Sequence, residues 1–319
     1  MFIDVMWYVI LIILWILWIR TRFWNRQPMR HIYDFPKYGV LSPPLFNKYC
    51  DVIKVRQATP EEAIPYIQRQ SIGYESSSHL MGYLNTAYIS MYENKGCMTS
   101  RKVNFFHENR KNAYYHDFIY GDTDAIKRTL FQTHEYNRSI KTKCGISFFS
   151  SDFKIPFLIP VTKYSIHWVK TATFSKRPHK VVKATEDSLY TLYEVFKNPL
   201  LCQVTPEIDK IAYMMKSKIL SIYYYYTTEL SAIFFFKNPL ELDGNDSIVD
   251  WVGTILLKKD PFEDAISNLL YSFRKSFPIV RIHNVSHTPL YEGYKTTKKV
   301  YYIYNYGIKR ISPKDCLFI

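Results

Sequence analysis

Residues 114–140 read YYHDFIYGDTDAIKRTLFQTHEYNRSI, an order that suits the holding of a phosphorylated ligand. A strand-like run at 114–120 leads through the polar loop Gly121-Asp122-Thr123-Asp124 into a helical pattern carrying Ile126, Leu130, Phe131 and His134. The first N–H groups of such a helix have no internal partner and can face a phosphate. Asp122, Thr123 and Asp124 are each suitable N-caps and would compete for those same N–H groups. Further along, His134-Glu135 offers a general base, or simply a partly buried helix surface.

Other familiar chemistry is missing. Nine histidines are present without an HExxH. His283 and His287 have metal-ligand spacing only if they lie on a helix, and nearby Pro289 and the strand-like run before them argue for loop or sheet roles. There is no G-x-S-x-G elbow, P-loop or Rossmann glycine set. Cys50, Cys97, Cys144, Cys202 and Cys316 are odd in number and lack a CxxC pair, so neither a zinc cage nor a disulfide framework is indicated. This usage fits a reducing, cytosol-facing domain. A catalyst would then draw on backbone N–H groups, a cofactor and the terminal carboxylate. The sequence closes Asp315-Cys316-Leu317-Phe318-Ile319, an apolar end that favours burial. Burial would raise the pKa of its carboxylate toward that of a general base, although core packing alone is the more ordinary reason for an apolar end.

Elements must position these groups. With 319 residues, 47% apolar and 17% aromatic, disorder of the bulk is excluded and two domains or one divided core are allowed. Residues 5–19 carry no charge and are followed by Arg20, Arg22, Arg26 and Arg30. They predict an uncleaved transmembrane helix over 1–22 with the domain on the cytosolic side, an interfacial or buried helix being the alternatives. A Pro-rich linker follows at 23–48. The net charge of +14 is spread along the chain and suits anionic lipid or a phosphate-bearing cofactor; no nucleic-acid motif accompanies it. Strands are expected near 50–56, 96–106, 114–120, 144–150, 157–169, 230–236, 247–257, 278–282 and 299–306. Helices are expected from Thr59, from about 76 to 91, from Ala125, across 206–222 and from Asp260-Pro261. This is an α/β chain with mixed sheets.

Several of these runs resemble the N-myristoyltransferases, most closely the divergent forms carried by large DNA viruses. The likeness lies in GCMTSRKV (96–103), YYHDFIYG (114–121), FQTHEYNRS (131–139), CGISFFS (144–150), FPIVRIHNV (277–285) and KKVYYIYNYG (298–307), in matching order. The resemblance implies two fused GNAT-like halves, at 49–180 and 181–319, preceded by the transmembrane helix. It implies that the first half holds myristoyl-CoA or another acyl-CoA, and the second most of a peptide groove. Asp117-Phe118-Ile119 matches the Asn-Phe-Leu segment whose following N–H groups polarise the thioester, which makes Phe118 and Ile119 the oxyanion donors. Ile319 would supply the carboxylate that deprotonates an N-terminal glycine amine, and Asn284 would contact the substrate. No metal is implied. Departures are evident. The phosphate loop is shortened and acidic at Asp122 and Asp124, with Lys127 and Arg128 left to hold the cofactor. Val285 and Ser286 replace an acidic position, and a glycine-rich loop gives way to residues 294–299. The expectation is a membrane-anchored acyltransferase acting on protein N-termini. The alternative is an inactive relative serving as a membrane-anchored structural or assembly protein of a virion or viral factory.

Overall fold

The structure, a computed structural model, describes residues 2–34, 36–42, 46–70, 77–178, 181–196, 200–258 and 262–319. The expected helix start at Asp260-Pro261, the linker prolines Pro43 and Pro44, and Ser76 lie outside these residues.

The N-terminal run forms one helix, α1 (Phe2–Thr21). Its charge-free part, between Asp4 and Arg20, is fifteen residues. That run rises about 22 Å, against roughly 30 Å for a hydrocarbon core. Among the described residues, no helix is long and apolar enough to cross a membrane. The expected transmembrane anchor is therefore corrected, and with it the membrane-anchored function and the single-pass localisation.

Beyond α1, the strand β1 (Gly39–Val40) precedes β2 (Val55–Gln57). β2 is shorter than expected because Asp51 Oδ1 accepts from the Ile53 and Lys54 amides and bends residues 51–54 into a turn. Helix α2 (Pro60–Gln70) opens on a reciprocal box: the Thr59 amide donates to Glu62 Oε2 at 2.9 Å and the Glu62 amide to Thr59 Oγ1 at 3.4 Å. Helix α3 (Ser77–Leu84) stops well before Met91, because Thr86 turns into the left-handed region at φ 65° and β3 (Tyr88–Tyr92) begins. β4 (Gly96–His107) and β5 (Asn109–Gly121) form a long hairpin. α4 (Asp124–Thr142) follows and ends at left-handed Lys143. Next come β6 (Ser147–Ser151), β7 (Thr162–Lys170), β8 (Val182–Lys183), α5 (Glu186–Phe196) and β9 (Cys202–Pro206). α6 (Ile208–Lys216) gives way at left-handed Lys218 to β10 (Leu220–Tyr226), so the second part of the expected 206–222 helix is strand. The remainder is β11 (Leu230–Lys237), β12 (Leu242–Asp243), β13 (Asp246–Leu256), α7 (Glu263–Phe273), β14 (Ile279–His283), β15 (Lys295–Tyr304), β16 (Tyr306–Gly307) and β17 (Cys316–Phe318).

Fifteen strands make one mixed sheet with the path β17-β9-β4-β5-β6-β15-β7-β14-β13-β11-β10-β8; β3 and β2 extend from β4, and β12 pairs β13. Two similar units are wired into it. In each, an antiparallel pair is followed by a helix and a strand that returns parallel: β4–β5–α4–β6, and β11–β13–α7–β14. The units meet through β15 and β7, whose pairing joins β6 to β14. The terminal strand β17 crosses back to lie parallel to β9, beside β4.

Candidate functional site

The first unit carries its irregularity where the sequence analysis placed its chemistry. Along β4 and β5 the register runs Thr99↔Phe118 and then Ser100↔His116, leaving Asp117 as the extra residue of a β-bulge. A bulge breaks the ladder and re-aims backbone groups. On the other edge, β5 pairs with β6 only at Tyr114↔Ser147 and Tyr115↔Phe148. From there β6 keeps its bonds to β15 as far as Ser151, so the two parallel strands part just before the bulge. A cavity of about 680 Å³ lies at this parting, lined by Asp117, Phe118, Arg101, Tyr301 and Ile319 among others.

Ile319 is brought there by β17: its amide donates to Val204 O at 3.0 Å, and Phe318 stacks on Tyr301 with ring centroids 4.1 Å apart. Arg101 ties the site together. Its Nη2 donates to the Ile319 carbonyl oxygen at 2.9 Å, and its Nε donates to Asp117 Oδ2 at 2.9 Å. Its guanidinium lies over the Tyr115 ring. Nη1 is buried without an acceptor among the described residues. Asp117, standing where the resembled family has Asn, is thus neutralised by a buried guanidinium.

Phe118 and Ile319 therefore share one cavity. The Ile119 side chain packs on the opposite face, against the cluster of Phe131 and Phe149. Its backbone has a counterpart in the second unit. There the β11–β13 register skips Val252, so Val252, Gly253 and Thr254 correspond to Asp117, Phe118 and Ile119. The Thr254 amide donates to Ser286 Oγ at 2.9 Å, on the β14 side. The Ile119 amide has no such side-chain acceptor among the described residues. Lys127 and Arg128 are exposed on the first turns of α4. Thr123 is the cap of that helix, its hydroxyl accepting from the Ile126 amide at 3.3 Å. Asp122 is drawn toward the Tyr66 hydroxyl, which donates to Oδ1 at 3.0 Å. Asn284 does not line the cavity; the preceding His283 does.

Sequence reasoning passed over Arg101, Lys237 and the Asp250–Arg281 pair. The available signal was a charge within or at the end of a strand-like run, as at Arg101, beside Lys102 in GCMTSRKV, and at Lys237 after LSAIFFF. Arg281 donates to Asp250 Oδ2 at 2.8 Å and also meets Glu241. Burial alone would raise the Asp250 carboxyl, but Arg281 and His283 hold it below the usual carboxylate range. Lys237 lies 4.8 Å over the Tyr83 ring, and burial, then the Arg101 charge, pushes its ammonium down to about 8.

Behind the bulge, α4 buries a polar network. Glu135 accepts from Arg138 Nη2 and Ser147 Oγ, each at 2.8 Å, and lies 3.1 Å from His116 Nε2. Against its burial, Arg138 most strongly, then His116, holds Glu135 below its ordinary range. His134 is bracketed by Ser90 Oγ and Ser100 Oγ, both at 2.9 Å, and burial, then His116, lowers its pKa well below 6.5. His116, His134 and Glu135 bring ligand atoms within 4.8 Å of one another, a set that could hold a metal ion. Those of His134 and Glu135 are already engaged by serines and Arg138. His283 and His287 do not converge on one centre: His283 Nδ1 faces the Tyr164 hydroxyl, and His287 Nδ1 accepts from the Leu256 amide.

No protein-family model matches this chain, nor does any curated protein. Among solved structures, N-myristoyltransferase from Saccharomyces cerevisiae with bound myristoyl-CoA superposes with a TM-score of 0.69 at 10% identity, over 94% of this chain and 92% of that one. A GCN5-related N-acetyltransferase from Kribbella flavida gives 0.51 at 10% identity, over 81% of this chain and 72% of that one. A probable N-acyltransferase from Enterococcus faecalis gives 0.50 at 13%, over 78% and 71%. The chain thus has, at low identity and over most of its length, the mixed-sheet fold shared by N-myristoyltransferase and GNAT-type acyltransferases.

Proposed function

We propose that the protein is an acyl-CoA-dependent N-acyltransferase, a divergent relative of the N-myristoyltransferases of the kind large DNA viruses carry, acting on the N-terminal amine of a peptide. The observation that carries this reading is the parting of β5 from β6 at the Asp117 bulge, with Phe118 and Ile319 on one cavity. The N–H groups of Phe118 and Ile119 receive the developing oxyanion as the amine nitrogen attacks the thioester carbonyl. The new C–N bond forms, the C–S bond breaks, and coenzyme A leaves as the thiolate. The amine proton passes to the carboxylate of Ile319 and then to the leaving sulfur or solvent. Arg101 aims that group, its Nη2 donating to an Ile319 oxygen. Because Arg101 also faces Asp117, two carboxylates share one guanidinium, and the surplus negative charge suits an incoming ammonium. Lys127 and Arg128 lie one turn into α4, where they would meet the coenzyme phosphates; turning Asp122 to Tyr66 lessens its repulsion of them.

Calorimetry of myristoyl-CoA against the full chain tests the donor half of this reading. Micromolar or tighter binding supports it, followed by acylation of a peptide that begins with glycine. Absence of binding to a folded protein at high micromolar ligand removes it, leaving the fold to a non-enzymatic use that the acidic Asp122 and Asp124 would favour. Adding one residue after Ile319 should abolish turnover with the melting temperature unchanged. Full turnover in that form would take the proton-acceptor role away from Ile319.

A further inference from the structure

The charges that line the cavity divide into satisfied and unsatisfied sets. Arg101 faces Asp117 and Ile319, and Arg281 faces Asp250 and Glu241. Lys237, Lys298 and Lys299 line the same cavity and make no ion pair among the described residues, with Asp152 the remaining carboxylate on its wall. Lys298 is exposed, whereas Lys237 and Lys299 are partly buried; a partly buried ammonium without a close counter-charge is unfavourable, and an anionic ligand would relieve it. Two of these lysines stand one aromatic ring away from the transfer point. Lys237 lies over Tyr83, and Tyr83 packs edge-on against Phe118 with centroids 5.5 Å apart. Lys299 lies by Tyr301, which stacks on Phe318, next to Ile319. The Lys299 charge also bears on its neighbours inside the cavity, acting on Lys237 and on His283.

Resting on the acyltransferase reading above, we propose that the acceptor is a peptide bearing negative charge just beyond its reacting amine, recognised by Lys237 and Lys299. The ammonium end meets the surplus carboxylate of the Arg101 cluster, and the anionic residues that follow meet the lysines. Carboxylate and phosphorylated side chains share the chemistry required.

The test uses the full chain, myristoyl-CoA and four decapeptides that begin with glycine and carry Glu, Gln, phosphoserine or Lys at the second and third positions. The expected result is a kcat/KM at least tenfold higher for the Glu peptide than for the Gln peptide, the Lys peptide lowest, and the preference falling with added salt. The phosphoserine arm separates the sources: a further tenfold gain assigns the site to phosphate, and parity with Glu to carboxylate. Lys299→Glu should invert the Glu and Lys order, with folding followed by thermal melts and Lys237→Met as the second variant. Equal rates on Glu and Gln peptides overturn the proposal. So does a tenfold loss of myristoyl-CoA affinity in either variant, which would place these lysines on the donor phosphates. If wild type acylates none of the peptides, fluorescence-detected peptide binding without donor decides: tighter binding of Glu than Gln sustains the lysine assignment although the transfer reading fails, and equal or absent binding overturns it.

Discussion

The two units of the sheet share their wiring and differ in what fills the bulge. In the first, β5 and β6 stop pairing at Tyr115↔Phe148, two residues before Asp117. In the second, β13 and β14 pair as far as Trp251↔Ile282, directly before Val252. The second opening is also plugged. A Cβ placed on Gly253 would sit 2.4 Å from Leu317 Cδ1, so the terminal strand rests on the backbone where the first unit presents Phe118 to the cavity. Ser286 takes the Thr254 amide. The helices differ likewise: α4 buries Gln132, His134, Glu135 and Arg138, whereas α7 buries Ala265, Ile266, Leu269 and Leu270. One pattern of strands thus yields an open bulge in one copy and a plugged one in the other, and side chains rather than topology decide which.

The largest effect should come from removing the cation at the open bulge. Arg101→Ala leaves the Asp117 carboxylate and the Ile319 oxygen buried without their donor, at a cost of about 3–5 kcal/mol. Denaturant unfolding would measure it, and adding Asp117→Asn should recover a substantial part. Loss below about 1 kcal/mol would mean that water already screens the pair.

Acid should act on the α4 joint more than on the α7 joint. Burial, then His116, keeps His134 neutral in the folded state well below 6.5, whereas the unfolded chain binds that proton as pH falls through about 6.5. Stability is therefore lost on going down, by up to about 1.4 kcal/mol per pH unit from this group. Glu135, held below its ordinary range, adds its own loss only below about pH 4.5. His134→Gln should start less stable at pH 7.5 and lose less on acidification, so that the two curves of unfolding free energy converge. Parallel curves would show that His134 takes up its proton without opening the network.

Gly253→Ala tests the plug. Its methyl would meet Leu317 Cδ1 at 2.4 Å and Ser286 Oγ at 3.1 Å, and displacing them should cost about 1–3 kcal/mol. Leu317→Ala in the same chain should relieve the clash, giving a favourable coupling in a double-mutant cycle.

Residues 114–121 and the helix after them were legible because period-two alternation, a polar loop and a Thr cap are local signals. The terminal strand was legible only as an apolar end. That it pairs with β9, and so delivers Ile319 to Arg101, depends on contacts more than a hundred residues apart in sequence, which no local pattern records. α5 and β9 went unread, although α5 has its own start signal: the Thr185 hydroxyl accepts from the Ser188 amide at 3.4 Å, and Glu186 and Asp187 fill the first turn. At residues 5–19 hydropathy was plain, but length decided against a span. Phe118, Ile119, Lys127, Arg128 and Asn284 came from resemblance and Ile319 from both the apolar end and the resemblance, whereas Arg101 and Lys237 needed the structure, because a charge within a strand acquires meaning only from what lies across the sheet.

Arg101 and Lys237 also sharpen the comparison most finely. Each is the second residue after its bulge, opposite Tyr115 in one unit and Asp250 in the other. Arg101 keeps two anionic partners, but the carboxylate opposite Lys237 is taken by Arg281. Lys237→Met should therefore stabilise the fold, by about 1 kcal/mol, since a half-buried ammonium gives way to an apolar chain of similar length. The pH dependence separates this cause from better packing. With a folded pKa near 8 and an ordinary value of 10.5, wild type gains stability as pH rises between the two, because the unfolded chain keeps a proton that the folded one releases. The variant lacks that gain, so its advantage should be full at pH 7 and shrink toward pH 10. An advantage constant with pH would assign it to packing and make Lys237 an ordinary solvated lysine, unlike its counterpart in the first unit.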